Sequence, residues 1–309
     1  MKKEDFYFES RDGKTNIHAV RYTPDNGEIK GVFQIVHGMA EYIERYEDIA
    51  EYMTERGFVV TGDDHLGHGK SVPEGKNYGY FCEQDPATVV VRDVHRLKKI
   101  TQEAYPGVPY FLLGHSMGSF IARNYLCRYG SGITGAIIMG TGMQPKFLIG
   151  ISKFVAGSQK LFFGGNHISN FINAIAFGSY NKKVPNKRTD FDWLSANAEN
   201  VDKYIADPLC GRAFTVNGFQ TLFELIARLL DKKNVANVPD ELPILMVAGA
   251  DDPVGNYGKG VEQARASLEA AGVKDLIMKL YPGLRHEILN EDTKEQVKED
   301  IYNWIIERC

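Results

Sequence analysis

The chain has 309 residues, 43% hydrophobic and 25% charged, with a formal net charge of −4. Those proportions suit a water-soluble globular protein with one large core, or one core with an elaboration on it. The weakly acidic balance lacks the basic stripe that nucleic-acid binding needs.

No run of about 18 apolar residues offers a transmembrane helix. The opening "MKKEDFYFES" has basic residues but no apolar stretch behind them, so no signal peptide is expected. Cys82, Cys127, Cys210 and Cys309 are widely spaced and form no CxxC pair. They read as reduced thiols of a cytoplasmic protein, neither a disulfide framework nor a zinc site.

Residues 5–22 alternate apolar and polar side chains around Asp12-Gly13, which predicts a hairpin. A strand-then-helix rhythm follows. "GVFQIVHG" is a short continuous apolar run, as a strand covered on both faces should be. "YIERYEDIAEYMTERG" has helical spacing and stops at Gly57. "FVVTGDD" reads as a strand, and "ATVVVRDVHRLKKITQEAY" as a helix ended by Pro106. "YFLLGHS", "MGSFIARNYLCRYG" and "GAIIMG" then read as strand, helix and strand.

Residues 141–238 break the rhythm, with apolar segments at helical spacing and no obvious strands. The alternation resumes with "LPILMVAGA", "GKGVEQARASLEAAG", "KDLIMKLYPG" and "KEQVKEDIYNWIIER". The expectation is an α/β fold: a mainly parallel sheet flanked by helices, from residues 1–140 and 239–309, with 141–238 inserted as a helical cap. Ligands of such sheets bind at the carboxyl ends of the strands, where a cap would enclose a pocket.

Gly114-His115-Ser116-Met117-Gly118 lies at one such strand end. G-x-S-x-G alone is weak, since about one chain of this length in ten matches by chance. Here, however, a strand precedes it and a helix follows, the context this elbow requires. Gly114 and Gly118 remove side chains that would collide in a sharp turn. The following helix points its positive end at Ser116.

A serine nucleophile needs a base, and the base an orienting acid, in the chain order Ser, acid, His. His167 and His286 follow Ser116. His286 lies after the last strand and is the expected base. The acid belongs in the loop "GADDPVG", which offers Asp251 and Asp252. Asp252, before a proline, is favoured and Asp251 is the alternative. Oxyanion donors are expected from the backbone N–H of Met117 and of Met39 in His37-Gly38-Met39, each typically worth about 2.7–4 kcal/mol in the transition state.

At this point the chain resembles the monoacylglycerol lipase and lysophospholipase branch of the α/β-hydrolases. The resemblance is carried by "HGMAEYIERY" (37–46), "DDHLGHGKS" (63–71), "GHSMG" (114–118), "DPLCG" (207–211), "GADDPVGNYGKG" (249–260) and "YPGLRHE" (281–287), in the family's order. It implies Asp252 as the acid and Met39 as the oxyanion residue. It also implies cleavage of single-acyl esters of glycerol or lysophospholipids without a cofactor, under a cap that accepts the acyl chain.

The remaining candidates read as supporting groups. His37 and His115 shape the oxyanion and nucleophile turns, Gly38 lets the chain turn, and Glu41 anchors the loop. His65 and His68 could suggest a metal, but the glycines flanking His68 favour a tight loop, and no metal is expected. His167 reads as a cap or surface residue.

In "KFLIGISKFVAGSQKLFF" (146–163), Lys146, Lys153 and Lys160 share a helical face, with Phe147, Ile151, Phe154 and Leu161 elsewhere. Either the apolar side packs on the protein, or the helix rests on a membrane or micelle with its lysines facing phosphates. Rival functions are a short-chain carboxylesterase, a serine aminopeptidase using cap acids such as Asp190, Asp192, Glu199 and Asp202, and a non-catalytic binding module. The partner expected is a small acyl ester. Oligomeric state is not legible.

Overall fold

The computed structural model describes residues 1–309. Eight strands form one sheet in the order β1-β2-β4-β3-β5-β6-β7-β8. β1 (Lys2–Glu9) and β2 (Asn16–Thr23) are the expected hairpin, and β2 pairs antiparallel with β4 (Phe58–Asp63). From β4 onward all neighbours are parallel: β3 (Gly31–Val36), β5 (Tyr110–His115), β6 (Gly135–Met139), β7 (Ile244–Gly249) and β8 (Leu276–Tyr281). Every residue of β3, β4, β5, β6 and β7 is buried. Continuous apolar runs in the sequence reflect that two-sided cover.

The covering helices are α1 (Glu47–Thr54), α2 (Pro86–Ala104), α3 (Met117–Tyr129), α9 (Lys259–Ala270) and α10 (Lys294–Ile306). The helix expected from Tyr42 begins instead with a 3-10 turn, Ile43–Tyr46, and becomes α-helical at Glu47. The Ile43 N–H is already donated to Asp64 Oδ1 at 3.0 Å, which fixes the entry of the chain.

Between β6 and β7 no strand occurs. The segment carries α4 (Lys146–Phe163), α5 (Asn170–Phe177), α6 (Ala198–Ala206), α7 (Val216–Leu229) and α8 (Lys232–Val235). α7 packs on α2, α3 and α4, and is bolted to the core. Asn124 donates to the Leu225 carbonyl at 3.0 Å and Arg228 to the Thr88 hydroxyl at 2.8 Å.

The apolar side of α4 does not pack on the protein, and two of its three lysines lie beside carboxylates. Its apolar residues face outward, with Phe147 72%, Phe154 75% and Leu161 81% exposed, while only Ile149 and Ala156 are buried. Two of the three lysines turn toward the protein: Lys153 meets Glu224 at 2.7 Å and Lys160 lies 3.9 Å from Glu83. Phe171 and Ile175 of α5 extend the exposed apolar surface. No helix is long and apolar enough to cross a membrane. The four cysteines are free, and only Cys309 is exposed.

Candidate active site

Ser116 sits between β5 and α3 with φ 55° and ψ −119°, a conformation rarely tolerated outside glycine. Packing imposes it. A Cβ on Gly118 would strike the carbonyl oxygens of Val36 and His37, and one on Gly114 would strike that of Gly118. The Ser116 N–H donates to the Met139 carbonyl at 3.0 Å, pinning the elbow to β6. The serine remains partly exposed while its neighbours are buried.

The loop after β3 lies directly against this elbow. A Cβ on Gly38 would come within 3.1 Å of Ser116 Cβ. The Gly38 N–H donates to Glu41 Oε1 at 2.5 Å, so Glu41 folds back beneath the loop and anchors it. Ala40 adopts φ 55°, and its carbonyl accepts from Gly211 N–H at 3.0 Å and the Tyr204 hydroxyl at 3.1 Å. Through Gly211 the "DPLCG" motif ties the segment between β6 and β7 to the turn holding Met39. The Met39 and Met117 N–H groups donate to no protein acceptor. Met117 opens α3, where amides lack intrahelical partners.

Asp252 is fully buried, accepts the Val254 N–H at 2.8 Å, and places Oδ2 2.9 Å from His286 Nδ1. The structure thus brings Asp252 to His286, while Asp251 is exposed. Burial works against the charged imidazole of His286, yet the Asp252 carboxylate outweighs it and the net pKa shift is upward. Gly140, at φ 59°, seats the ring. A Cβ there would lie 3.2 Å from both His115 and His286. Ser116 and His286 therefore flank the same turn after β6. They are not hydrogen bonded here, and such contacts commonly tighten only with substrate.

Behind the dyad is a buried charge network that the sequence reading saw only in part. Arg45 Nη1 donates to Glu41 Oε2 at 2.6 Å and Glu287 Oε1 at 2.8 Å, and Nη2 to Glu287 Oε2 at 2.9 Å. Burial opposes ionisation of both carboxylates. The His115 hydrogen bond and Arg45 nevertheless hold Glu41 well below the usual range, and Arg45 lowers Glu287. The Tyr46 hydroxyl donates to Glu41 at 2.7 Å and lies 2.8 Å from His115 Nδ1, and His115 Nε2 is 3.3 Å from the His286 carbonyl. His115 is thus a brace between two loops, as its position suggested. The signals for Arg45 and Glu287 were their places within the quoted motifs, four residues after Glu41 and one after His286.

His37 stacks on His65 with centroids 4.0 Å apart, and its Nε2 accepts the His65 N–H at 3.0 Å. Burial pushes its pKa down to about 4, so it is neutral and structural. His65 Nδ1 meets Asp63 at 3.0 Å and His68 Nδ1 meets the Leu66 carbonyl at 3.1 Å. Asp64, within the quoted "DDHLGHGKS", holds this loop by accepting from Lys70 N–H at 2.8 Å. His167 is exposed and stacks on Phe163. No group of three or more His, Cys, Asp or Glu side chains is arranged to hold a metal ion.

Comparison with known proteins places this geometry. Residues 27–293 match the Hydrolase_4 family model, described as serine aminopeptidase, S33. The chain belongs to that family, and it is an α/β-hydrolase enzyme. It is 27% identical over 285 residues to the monoacylglycerol lipase of Mycolicibacterium smegmatis, covering 92% of this chain and 91% of the relative. It is 28% identical over 294 residues to the monoglyceride lipase of Homo sapiens, covering 93% and 86%. The crystal structure of a highly thermostable carboxyl esterase from Bacillus coagulans, in complex with glycerol, superposes with a TM-score of 0.92 at 32% identity, covering 100% and 99%. The curated relatives thus carry the names of the branch that the motifs resemble.

Proposed function

We propose that the chain hydrolyses carboxylic esters of single acyl chains, monoacylglycerols foremost, through an acyl-enzyme. The observation that carries this reading is the buried Asp252–His286 pair, 2.9 Å apart, beside the strained Ser116 elbow. The named relatives support the substrate class.

In the proposed mechanism, Ser116 Oγ attacks the ester carbonyl carbon while His286 Nε2 takes its proton. The carbonyl oxygen becomes an oxyanion held by the Met39 and Met117 N–H groups. Its collapse breaks the bond to the leaving alkoxide, which receives the proton from His286. Water then attacks the acyl-enzyme, giving its proton to His286. The second collapse returns that proton to Ser116 and releases the fatty acid. Asp252 orients the ring and stabilises the imidazolium throughout.

The family description mentions aminopeptidases, which would need acids poised for a substrate amine. The cap acids do not serve that need. Asp190 pairs with Lys187, Glu199 with Lys203 and Asp202 with Arg188, while Asp192 accepts from Thr189. Ester cleavage is the better fit.

Residues 141–238 act as the cap in this reading. The outward apolar face of α4 and α5 rests on lipid aggregates and passes the acyl chain inward. The test is hydrolysis of monoacylglycerols, lysophospholipids, nitrophenyl esters and aminoacyl-arylamides, with fluorophosphonate labelling of Ser116. Preference for arylamides, or labelling elsewhere, would refute it.

A further inference from the structure

Trp193, from the segment between β6 and β7, lies against the histidine. Its ring centroid lies 5.2 Å from that of His286, with the planes tilted by 44°. Trp193 belongs to the 3-10 turn Asp192–Leu194, which is fastened to the histidine loop. Glu287 N–H donates to the Leu194 carbonyl at 2.8 Å. Arg285 donates to the Asp192 and Ser195 carbonyls at 2.6 and 2.9 Å. The Glu291 carboxylate accepts from Ser195 Oγ at 2.9 Å and Ala196 N–H at 2.8 Å. Tyr180 meets Trp193 edge-on, with ring centroids 4.9 Å apart.

The charges around His286 are Asp252 from the β7–α9 loop, Glu41 behind the oxyanion loop and Glu287 on its own loop. Arg45 pairs with the last two, offsetting one of their two negative charges. The other ring in contact is His115, with centroids 4.8 Å apart. The indole is the one electron-rich face in that set. A cation within about 6 Å of an indole centroid is attracted to it, more strongly where water is excluded.

Resting on the function proposed above, we propose that Trp193 is a positioning residue for His286, keeping water off the Asp252–His286 pair and stabilising the imidazolium formed as Ser116 attacks. This part of the cap is then a fixed wall of the site, held through Glu287, Glu291 and Arg285.

Two measurements test it. The first is the emission difference between the unmodified protein and Trp193→Phe, which isolates the Trp193 indole from Trp304. It is expected to fall as His286 protonates, with a midpoint at the acid limb of the rate profile, and to lose that step in His286→Gln. The second is kinetic, with a short soluble nitrophenyl ester. Trp193→Leu should lower kcat roughly 3- to 30-fold, the range a cation–π contact supplies, with KM within about threefold. Its acid limb should move to lower pH, and Trp193→Phe should fall between.

An emission without a His286-dependent step overturns the proposal, as does an unchanged kcat or an upward-moving limb in a folded Trp193→Leu protein. Should Trp193→Leu fail to fold, the emission step and Trp193→Phe still decide. A protein that cleaves no ester but shows the emission step would refute the ester-hydrolase reading while upholding the contact.

Discussion

Arg45 grips Glu287 through two nitrogens, at 2.8 and 2.9 Å, and so ties the loop behind Met39 to the residue following His286. The same guanidinium holds Glu41. Replacing Arg45 by Met would leave two buried carboxylates without their cation. Breaking a buried ion pair from one side costs about 3–5 kcal/mol. Arg45→Met is therefore expected to lose stability on that scale in urea unfolding, with Arg45→Lys recovering part of it. A loss under about 1 kcal/mol would mean the network is dispensable.

Ser116 is strained by its backbone as well as being the nucleophile of the proposed reaction. Ser116→Ala should lower turnover by something on the order of a millionfold while leaving the circular dichroism spectrum unchanged. Ser116→Gly should be equally inactive yet more stable than the parent by about 1 kcal/mol, because glycine tolerates φ 55° without the Cβ penalty. Chemical denaturation measures the difference. Equal stability of the Gly and Ser proteins would mean that the elbow stores little strain.

The rate profile should carry the imprint of Asp252. The active histidine is neutral, and burial is overcome by the carboxylate so that its proton is held more tightly. The acid limb of kcat/KM is thus expected above the ordinary imidazole value of about 6.5. Asp252→Asn should move that limb to lower pH and reduce kcat by about 10⁴-fold. A limb that stays in place would assign the orienting role elsewhere, for example to Asp251.

How much of this was legible in the sequence depends on the reach of each interaction. The parallel strands were readable because burial on both faces leaves a continuous apolar run, as in "FLLGH". The elbow was readable because sterics demand Gly114 and Gly118 locally. The Asp252–His286 pairing was approachable through chain order, and Asp252 was favoured over Asp251 for preceding a proline, a choice that the resemblance then supported. What escaped was long-range or directional. Arg45 meets Glu287 across most of the chain, and no local pattern announces it. The facing of α4 could not be read from its periodicity, because an amphipathic pattern says which residues share a side and not which side meets solvent. Lys153 and Lys160 lie beside Glu224 and Glu83, partners that only the folded chain brings to α4.

That facing makes the lipid-docking prediction one about apolar side chains. A Phe154→Glu, Leu161→Glu protein should co-sediment with phosphatidylcholine vesicles at least tenfold less well, since each buried side chain contributes about 1.5–3 kcal/mol. Turnover of a short soluble ester should be unchanged. Lys153→Glu should instead disturb the seat of α4 on Glu224. Undiminished sedimentation of the double variant would remove α4 from the docking surface.

Asp93 gives a stability test away from the site. Burial, with Asp63 and Asp12 adding to it, overcomes the hydrogen bonds from Ser10 and Arg11 and pushes its pKa up to about 7. The folded state therefore holds a proton that the unfolded state releases near pH 4. Between those values stability should fall as pH rises. Asp93→Asn should flatten that slope and be relatively more stable at pH 8, as followed by thermal melts from pH 4 to 8. An unchanged slope would place the titration elsewhere.

The strand order also bears on synthesis. β3, β5 and β6 sit at the centre of the sheet and leave the ribosome early, carrying the Ser116 turn with them. β7 and β8, which deliver Asp252 and His286, are added outside β6 only after the whole helical segment has emerged. In the proposed reaction, a nascent chain stalled before β7 would hold a serine with nothing to deprotonate it, inert toward any ester nearby until its last two strands dock.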